Sequence, residues 1–192
     1  MNILDIKSDF DKSWTLFLDR DGVINVESVG SYITSWEEFK FHEGVLSALQ
    51  TLSQVFGNIL VVSNQRGVGR GIMNIESLRL INNNMCLSVL EHGGRIDKAY
   101  SCTATKDDDR NRKPNTGMAL QAQEDFPGID FKKSVMVGNS ISDMEFGKRL
   151  SMQTVFLTTK HVPFSLPHDL IDTQYPSLHE WAKILAPAEM VG

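Results

Sequence analysis

Thr15-Leu16-Phe17-Leu18-Asp19-Arg20-Asp21-Gly22-Val23 is the stretch that decides how this chain is read. A short apolar run breaks at once into two carboxylates, an arginine and a glycine. Runs of this kind suit a strand buried on both faces, the habit of parallel sheets. Two carboxylates two residues apart, just past such a strand and followed by a permissive glycine, can face one small volume while the backbone turns away. That arrangement is costly unless a cation shares it. Asp and Gly are also ordinary turn residues, so taken alone the motif reads equally well as a solvated turn.

Working outward, three more apolar runs are bounded by polar or glycine residues: Ile59–Val62, Ser134–Val137 and Thr154–Leu157, with Lys98–Cys102 a weaker fifth strand. Between them lie segments of helical spacing. Val45, Leu46, Leu49 and Leu52 share one face within Glu43–Val55, and Ile75, Leu78, Ile81, Met85 and Val89 do so within Ile75–Leu90. Further helices are expected at Gly117–Phe126, Ser142–Leu150 and Ser177–Leu185. Strands alternating with helices predict an α/β fold with a doubly wound, mainly parallel sheet, whose ligands sit beyond the carboxyl ends of the strands. Thr103–Thr116 reads as a loop. The proline-bearing tail after Leu157 is expected to finish and cover the sheet.

Each of the other strand ends carries polar chemistry. The second strand runs into Ser63-Asn64-Gln65-Arg66-Gly67, where a hydroxyl, an amide and open backbone N–H groups can bind phosphate oxygens, or form a polar loop with a helix cap. Lys113 sits between Arg112 and Pro114; the proline restricts it near a helix start, where an anion is favoured, against the default of a solubilising Arg-Lys pair. Past Val137 come Gly138-Asn139-Ser140 and then Asp143. Oxygens from Asn139 and Asp143 complete a Mg²⁺ site with Asp19 on one reading; on another, Asp143 is an acid stabilising a helix N-terminus. Four such motifs at four strand ends are far less expected by chance than any one of them.

Composition narrows the partners. A chain of 192 residues with 41% hydrophobic and 22% charged residues can bury one good core, so a single domain spanning residues 1–192 is expected. A formal net charge of -5 offers no long-range attraction to nucleic acid or anionic lipid, and phosphate recognition must be built locally. The opening MNILDIKSDFDKSW carries charges where a secretory signal would be apolar, and no run approaches the roughly 20 apolar residues of a spanning helix. A cytoplasmic protein with no membrane partner is expected. Cys86 and Cys102 are read as unpaired thiols.

With these residues in view, FLDRDGVIN, VVSNQRGVGRG, RKPNTGM and VMVGNSISDMEFG resemble the four motifs of haloacid dehalogenase phosphatases, closest to the subgroup of heptose 1,7-bisphosphate and histidinol-phosphate phosphatases. The resemblance covers roughly Thr15 to Thr159. It implies that Asp19 attacks phosphorus to give an aspartyl-phosphate, and that Asp21 protonates the leaving oxygen and then deprotonates water. Ser63 and Lys113 hold phosphoryl oxygens, with Asn64, a substrate-binding residue on this reading, supporting the loop. Mg²⁺ is held by Asp19, the backbone carbonyl of Asp21 and the position of Asn139, with Asp143 compensating directly or through water. Arg112, Glu27 and Tyr32 are the implied contacts for sugar and second phosphate. The spacing between motifs leaves no room for a large cap domain.

Two departures stand out. The family's last metal ligand is usually Asp, whereas here it is Asn139, a neutral oxygen. Many heptose phosphatases also carry a Cys/His zinc loop before the lysine motif; TATKDDDRNRKP has neither histidine nor cysteine, so no structural zinc is expected. Asp107–Asp109 is read as a solvated acidic run. The expected partner is a small phosphorylated sugar bound by a monomer. Histidinol phosphate is the enzymatic alternative, and a catalytically impaired phosphosugar-binding protein is the alternative of another class.

Overall fold

The computed structural model describes residues 10–28 and 30–186. Residues 1–9, on which most of the amino-terminal reading rests, and Val29 of the Glu27–Tyr32 loop lie outside the described residues. Six parallel strands form one sheet: β1 (Thr15–Leu18), β2 (Asn58–Asn64), β3 (Lys98–Cys102), β4 (Ser134–Gly138), β5 (Gln153–Leu157) and β6 (Thr173–Tyr175), in the order β3-β2-β1-β4-β5-β6. The helices are α1 (Val45–Val55), a single turn α2 (Arg66–Gly69), α3 (Ile75–Glu91), α4 (Gly117–Asp125), α5 (Ile141–Arg149) and α6 (Leu178–Leu185).

Strand alternation produces the two layers. Leu16, Leu18, Ile59, Val61, Val135 and Val137 point to the face covered by α1, α3 and α6, where Leu49, Ile81 and Trp181 meet them. Their sequence neighbours Phe17, Leu60, Val62 and Met136 point the other way, against Ala119 of α4 and Phe146 of α5. Full burial of each such aliphatic side chain contributes roughly 1.5–3 kcal/mol. Hence the strands read as unbroken apolar runs.

Three helix starts move by a residue or two for identifiable reasons; in α6 Ser177 is the cap, its hydroxyl accepting the Glu180 N–H, so the helix begins at Leu178. Gly44 adopts the left-handed conformation (φ 71) as the residue capping α1, so the helix begins at Val45 rather than Glu43. Ser140 and Asp143 form a reciprocal capping box, which starts α5 at Ile141 rather than Ser142. β6 was not expected from sequence: three half-buried residues next to Pro176 make no pattern of their own, and they pair only because β5 presents an edge.

The strand order reverses direction at β1. The connections through α1 and α3 build the sheet to one side, and those through α4 and α5 build it to the other. The carboxyl ends of β1 and β4 therefore border a topological switch point, and Asp19 lies there. Only loop and α1 separate Asp19 from Ser63, and only α2, α3, β3 and loop separate Ser63 from Lys113. The site is left without a large cap domain.

Candidate active site

Asp19 follows β1 directly, and its N–H donates to the Val137 carbonyl at 3.0 Å, which fixes it between β1 and β4. Its Oδ1 accepts the Arg20 N–H at 2.8 Å and lies 2.9 Å from Lys113 Nζ. Among the described residues nothing donates to Oδ2. The same ammonium lies 2.6 Å from Asp143 Oδ1. The Lys113 and Asp143 side chains are essentially buried and Asp19 is 14% exposed. The Lys113 ammonium is held between these two carboxylates, and with three N–H groups it keeps one for a further acceptor. A buried ammonium so placed beside an open cavity is suited to an incoming anion.

Two carboxylates share one ammonium here. Burial first, and then the Asp143 charge, push the Asp19 carboxyl up to about 7, against the pull of Lys113. For Lys113, burial alone would lower the pKa, but the charges of Asp143 and Asp19 outweigh it and hold the ammonium above its ordinary range.

Asp21 sits in a different setting. Its Oδ1 accepts from Arg20 Nε at 3.3 Å and from Asn25 Nδ2 at 3.0 Å, and its Oδ2 accepts from Gln65 Nε2 at 2.7 Å. A terminal nitrogen of Arg20 spans both oxygens at 3.0 and 3.1 Å. Burial pushes the Asp21 carboxyl up; the Arg20 charge and the bonds from Asn25, Arg20 and Gln65 outweigh it and hold the group below the usual carboxylate range. Asp21 is thus kept ionised while Asp19 is pushed toward neutrality, two carboxylates two residues apart with opposite surroundings.

The neighbouring motifs converge on the same cavity, whose walls include Asp19, Asp21, Ser63, Asn64, Lys113, Asn139 and Asp143. Ser63 Oγ accepts from Gln65 Nε2 at 2.7 Å, which leaves its own hydrogen free to donate. Asn64 spends both ends of its amide on Lys113, donating to the Lys113 carbonyl and accepting its N–H, each at 3.0 Å. Its position beside Lys113 is thereby explained as a clamp that aims the lysine. Asp143 serves two masters: Oδ2 accepts from Ser140 N–H (3.0 Å) and Ser140 Oγ (2.7 Å), and Oδ1 faces Lys113. Both readings of Asp143, helix acid and site carboxylate, describe the same side chain.

The donor set suits a hard divalent cation. Asn139 Nδ2 turns toward Thr159 Oγ1 at 3.4 Å, leaving Oδ1 unspent, and its amide packs on the Gly22 backbone just past Asp21. A Cβ added at Gly22 would fall 1.9 Å from Asn139 Nδ2, and Gly22 has φ +80, so this turn tolerates only glycine. Asp19, Asp143, the Asn139 amide and the adjoining backbone offer oxygen alone, and the excess negative charge that raises the Asp19 pKa is what a cation would relieve. Among the described residues no three His, Cys, Asp or Glu side chains gather as a metal cluster.

The cavity mouth is built from loops. Glu27 and Tyr32 line it, together with Lys160. Lys160 pairs with Glu27 at 2.5 Å, and the Tyr32 hydroxyl accepts from Arg70 at 2.9 Å. Arg112 is not among the lining residues; it donates to Asp107 at 3.1 Å, and Asp107 also takes Arg66. The acidic run is therefore not simply solvated: Asp107, although mostly exposed, joins two arginines, and Asp109 accepts the Asn111 N–H at 2.9 Å. Sequence reasoning passed over Arg20, Gln65 and Lys160. An arginine between two catalytic-type aspartates was a usable signal; nothing local marks Lys160.

Residues 15–170 match the polynucleotide kinase 3 phosphatase family. The chain belongs to this family. It is a phosphatase of the haloacid dehalogenase superfamily, of the heptose bisphosphate subgroup. It is 31% identical over 170 residues, 88% of its length, to the D-glycero-alpha-D-manno-heptose-1,7-bisphosphate 7-phosphatase of Mycobacterium bovis, covering 90% of that protein. It is 30% identical over 171 residues to the D-glycero-beta-D-manno-heptose-1,7-bisphosphate 7-phosphatase of Helicobacter pylori, covering 88% of this chain and 96% of that one. The fold matches the crystal structure of D,D-heptose 1,7-bisphosphate phosphatase from B. bronchiseptica complexed with magnesium and phosphate, with a TM-score of 0.80 and 24% identity over 90% of this chain and 97% of that one. No helix among the described residues of this haloacid dehalogenase phosphatase is long and apolar enough to cross a membrane.

Proposed function

We propose that this phosphatase removes the 7-phosphate of a D-glycero-D-manno-heptose 1,7-bisphosphate through an aspartyl-phosphate on Asp19. The observation that supports the chemistry best is Asp19 Oδ2, to which no described residue donates, beside the Lys113 ammonium on the wall of one cavity. The relatives named above support the substrate. Since their names carry opposite anomers, both anomers belong in any assay.

The first step needs Asp19 as the carboxylate and Asp21 in its acid form, the reverse of what their surroundings favour in this structure, so Asp21 takes up a proton as substrate binds; Asp19 Oδ2 then bonds to phosphorus, the bond from phosphorus to the sugar oxygen breaks, and Asp21 gives that oxygen its proton. Ser63 Oγ and Lys113 Nζ donate to the non-bridging oxygens, where charge develops. In the second step water attacks phosphorus, Asp21 takes its proton, and the bond to Asp19 Oδ2 breaks, releasing phosphate. Mg²⁺, held by Asp19, the Asp21 carbonyl, Asn139 and Asp143, would supply positive charge for the phosphoryl group. At the mouth, Lys160 offers the substrate's far phosphate a cation, with Glu27 exchanging its partner as it binds.

The test is phosphate release from both heptose 1,7-bisphosphate anomers, histidinol phosphate and a 3′-phosphorylated oligonucleotide. Turnover of a heptose bisphosphate far above the other two supports the proposal. Preference for histidinol phosphate or the oligonucleotide overturns the substrate, and phosphosugar binding with no release overturns the hydrolytic role in favour of a binding protein.

A further inference from the structure

Among the described residues Arg20 is the largest buried charged side chain, and the chemistry above gives it no role. Its side chain is 1% exposed, it lies between the two aspartates of the first motif, and none of its guanidinium nitrogens lacks a partner. Burying an arginine costs several kcal/mol of desolvation, and an apolar residue of similar volume would commonly serve a core at least as well. A core position that nevertheless keeps the charge invites a functional account.

The geometry supplies one. Arg20 Nε and a terminal nitrogen grip the Asp21 carboxylate, and the same terminal nitrogen donates to Gln65 Oε1 at 3.2 Å. Gln65 Nε2 then donates to both Asp21 Oδ2 and Ser63 Oγ, each at 2.7 Å. This closes a ring from Arg20 through Gln65 back to Asp21. The other terminal nitrogen reaches Asn82 Oδ1 on α3 at 3.3 Å, and Asn82 Nδ2 donates to Ser101 Oγ on β3 at 3.3 Å. The guanidinium also lies over the Phe39 ring, 6.0 Å from its centroid. The carboxylate is thus held by Arg20, Asn25 and Gln65, with Arg20 braced in turn on α3, while a quarter of its side chain stays open. A fork-shaped cation fixes both oxygens of a carboxylate in one plane, which a lysine cannot do.

We propose that Arg20 is a positioning residue that acts through Asp21, holding its carboxylate beside the Ser63 hydroxyl so that proton transfer to and from the substrate oxygen proceeds in line. Gln65 is the second member of the device. The inference rests on the role proposed above for Asp21, and the experiment separates the two.

Arg20→Lys, which keeps the charge and loses the fork, is compared with Arg20→Met, Gln65→Leu and Asp21→Asn on two substrates: the heptose bisphosphate, whose alkoxide leaving group needs a proton, and p-nitrophenyl phosphate, whose phenolate does not. kcat/KM reports steps through release of the leaving group. Asp21→Asn is expected to lose far more kcat/KM on the sugar than on the aryl ester; equal losses overturn the Asp21 role itself. With that pattern in place, Arg20→Lys is expected to lose about 10²-fold on the sugar and less than about threefold on the aryl ester, the span of a misplaced general acid. Gln65→Leu is expected to show the same asymmetry, smaller. Equal losses on both substrates for Arg20→Lys and Gln65→Leu, or no loss on either, overturn the proposal. Thermal unfolding of each variant identifies folded proteins, and the Lys and Leu variants decide the matter should Arg20→Met not fold.

Discussion

The floor of the cavity and its mouth are built on opposite principles. On the floor, Asp19, Ser63, Lys113 and Asp143 lie at or beyond the ends of four different strands and are mostly buried, with Lys113 held between the two aspartates and Ser63 held by Gln65. At the mouth, Glu27, Tyr32 and Lys160 stand on loops, are partly exposed, and pair through contacts that water and an anionic ligand can replace. Buried charges without partners are expensive, so the floor cannot relax when one member is lost. Exposed pairs contribute little and exchange freely, so the mouth can be retuned without cost to the fold. The chemistry therefore belongs to the floor and the choice of substrate to the mouth.

The sharpest break is Asp19→Asn. Replacing the attacking oxygen is expected to lower kcat on the order of 10⁴-fold or more and to abolish the acid-stable trace of a phosphoenzyme trapped by quenching. Next comes Lys113→Met, which removes the cation between Asp19 and Asp143; kcat is expected to fall about 10²–10³-fold, as for loss of a donor to developing charge. Because the same change leaves two buried carboxylates facing each other, its thermal midpoint should fall as well.

Asn139→Asp sharpens the reading of the metal position. A carboxylate in place of the neutral amide is expected to tighten Mg²⁺ binding about tenfold, measured directly by calorimetry. No change would remove Asn139 from the donor set. At the mouth, Lys160→Gln is expected to raise KM for the bisphosphate about tenfold, a difference of ~1.4 kcal/mol, with KM for p-nitrophenyl phosphate unmoved. Glu27→Gln frees the same lysine and is expected to lower KM for the bisphosphate only about two- to threefold, the size of an exposed ion pair. If Lys160→Gln cost kcat rather than KM, the division between floor and mouth would fail.

Much of the floor was legible because its residues follow apolar strands directly. Asp19, Ser63 and Asn139 sit within a residue or two of a strand end, and a doubly wound sheet gathers such ends at one edge. Lys113 was legible for another reason, its restricted place before Pro114 at a helix start. The mouth and the Asp21 cradle were less so. Arg20 meets Gln65 across 45 positions of sequence, and Lys160 meets Glu27 across 133. Asn64 lay at the right place, but nothing in its neighbourhood foretold that both ends of its amide are spent on Lys113. Arg112 was assigned to the substrate by resemblance; in this structure it donates to Asp107 and stands outside the cavity lining.

Local sequence determined the strands, most helix boundaries, the sheet class and the residue types at the strand ends, because periodicity and capping act over a few neighbours. Tertiary structure decided which of those residues share a cation, which carboxylate is held ionised and which is pushed toward neutrality, and where β6 pairs. The reason is physical: pKa values and buried hydrogen bonds depend on burial and on partners brought together only when the sheet closes, and no short window of sequence contains them.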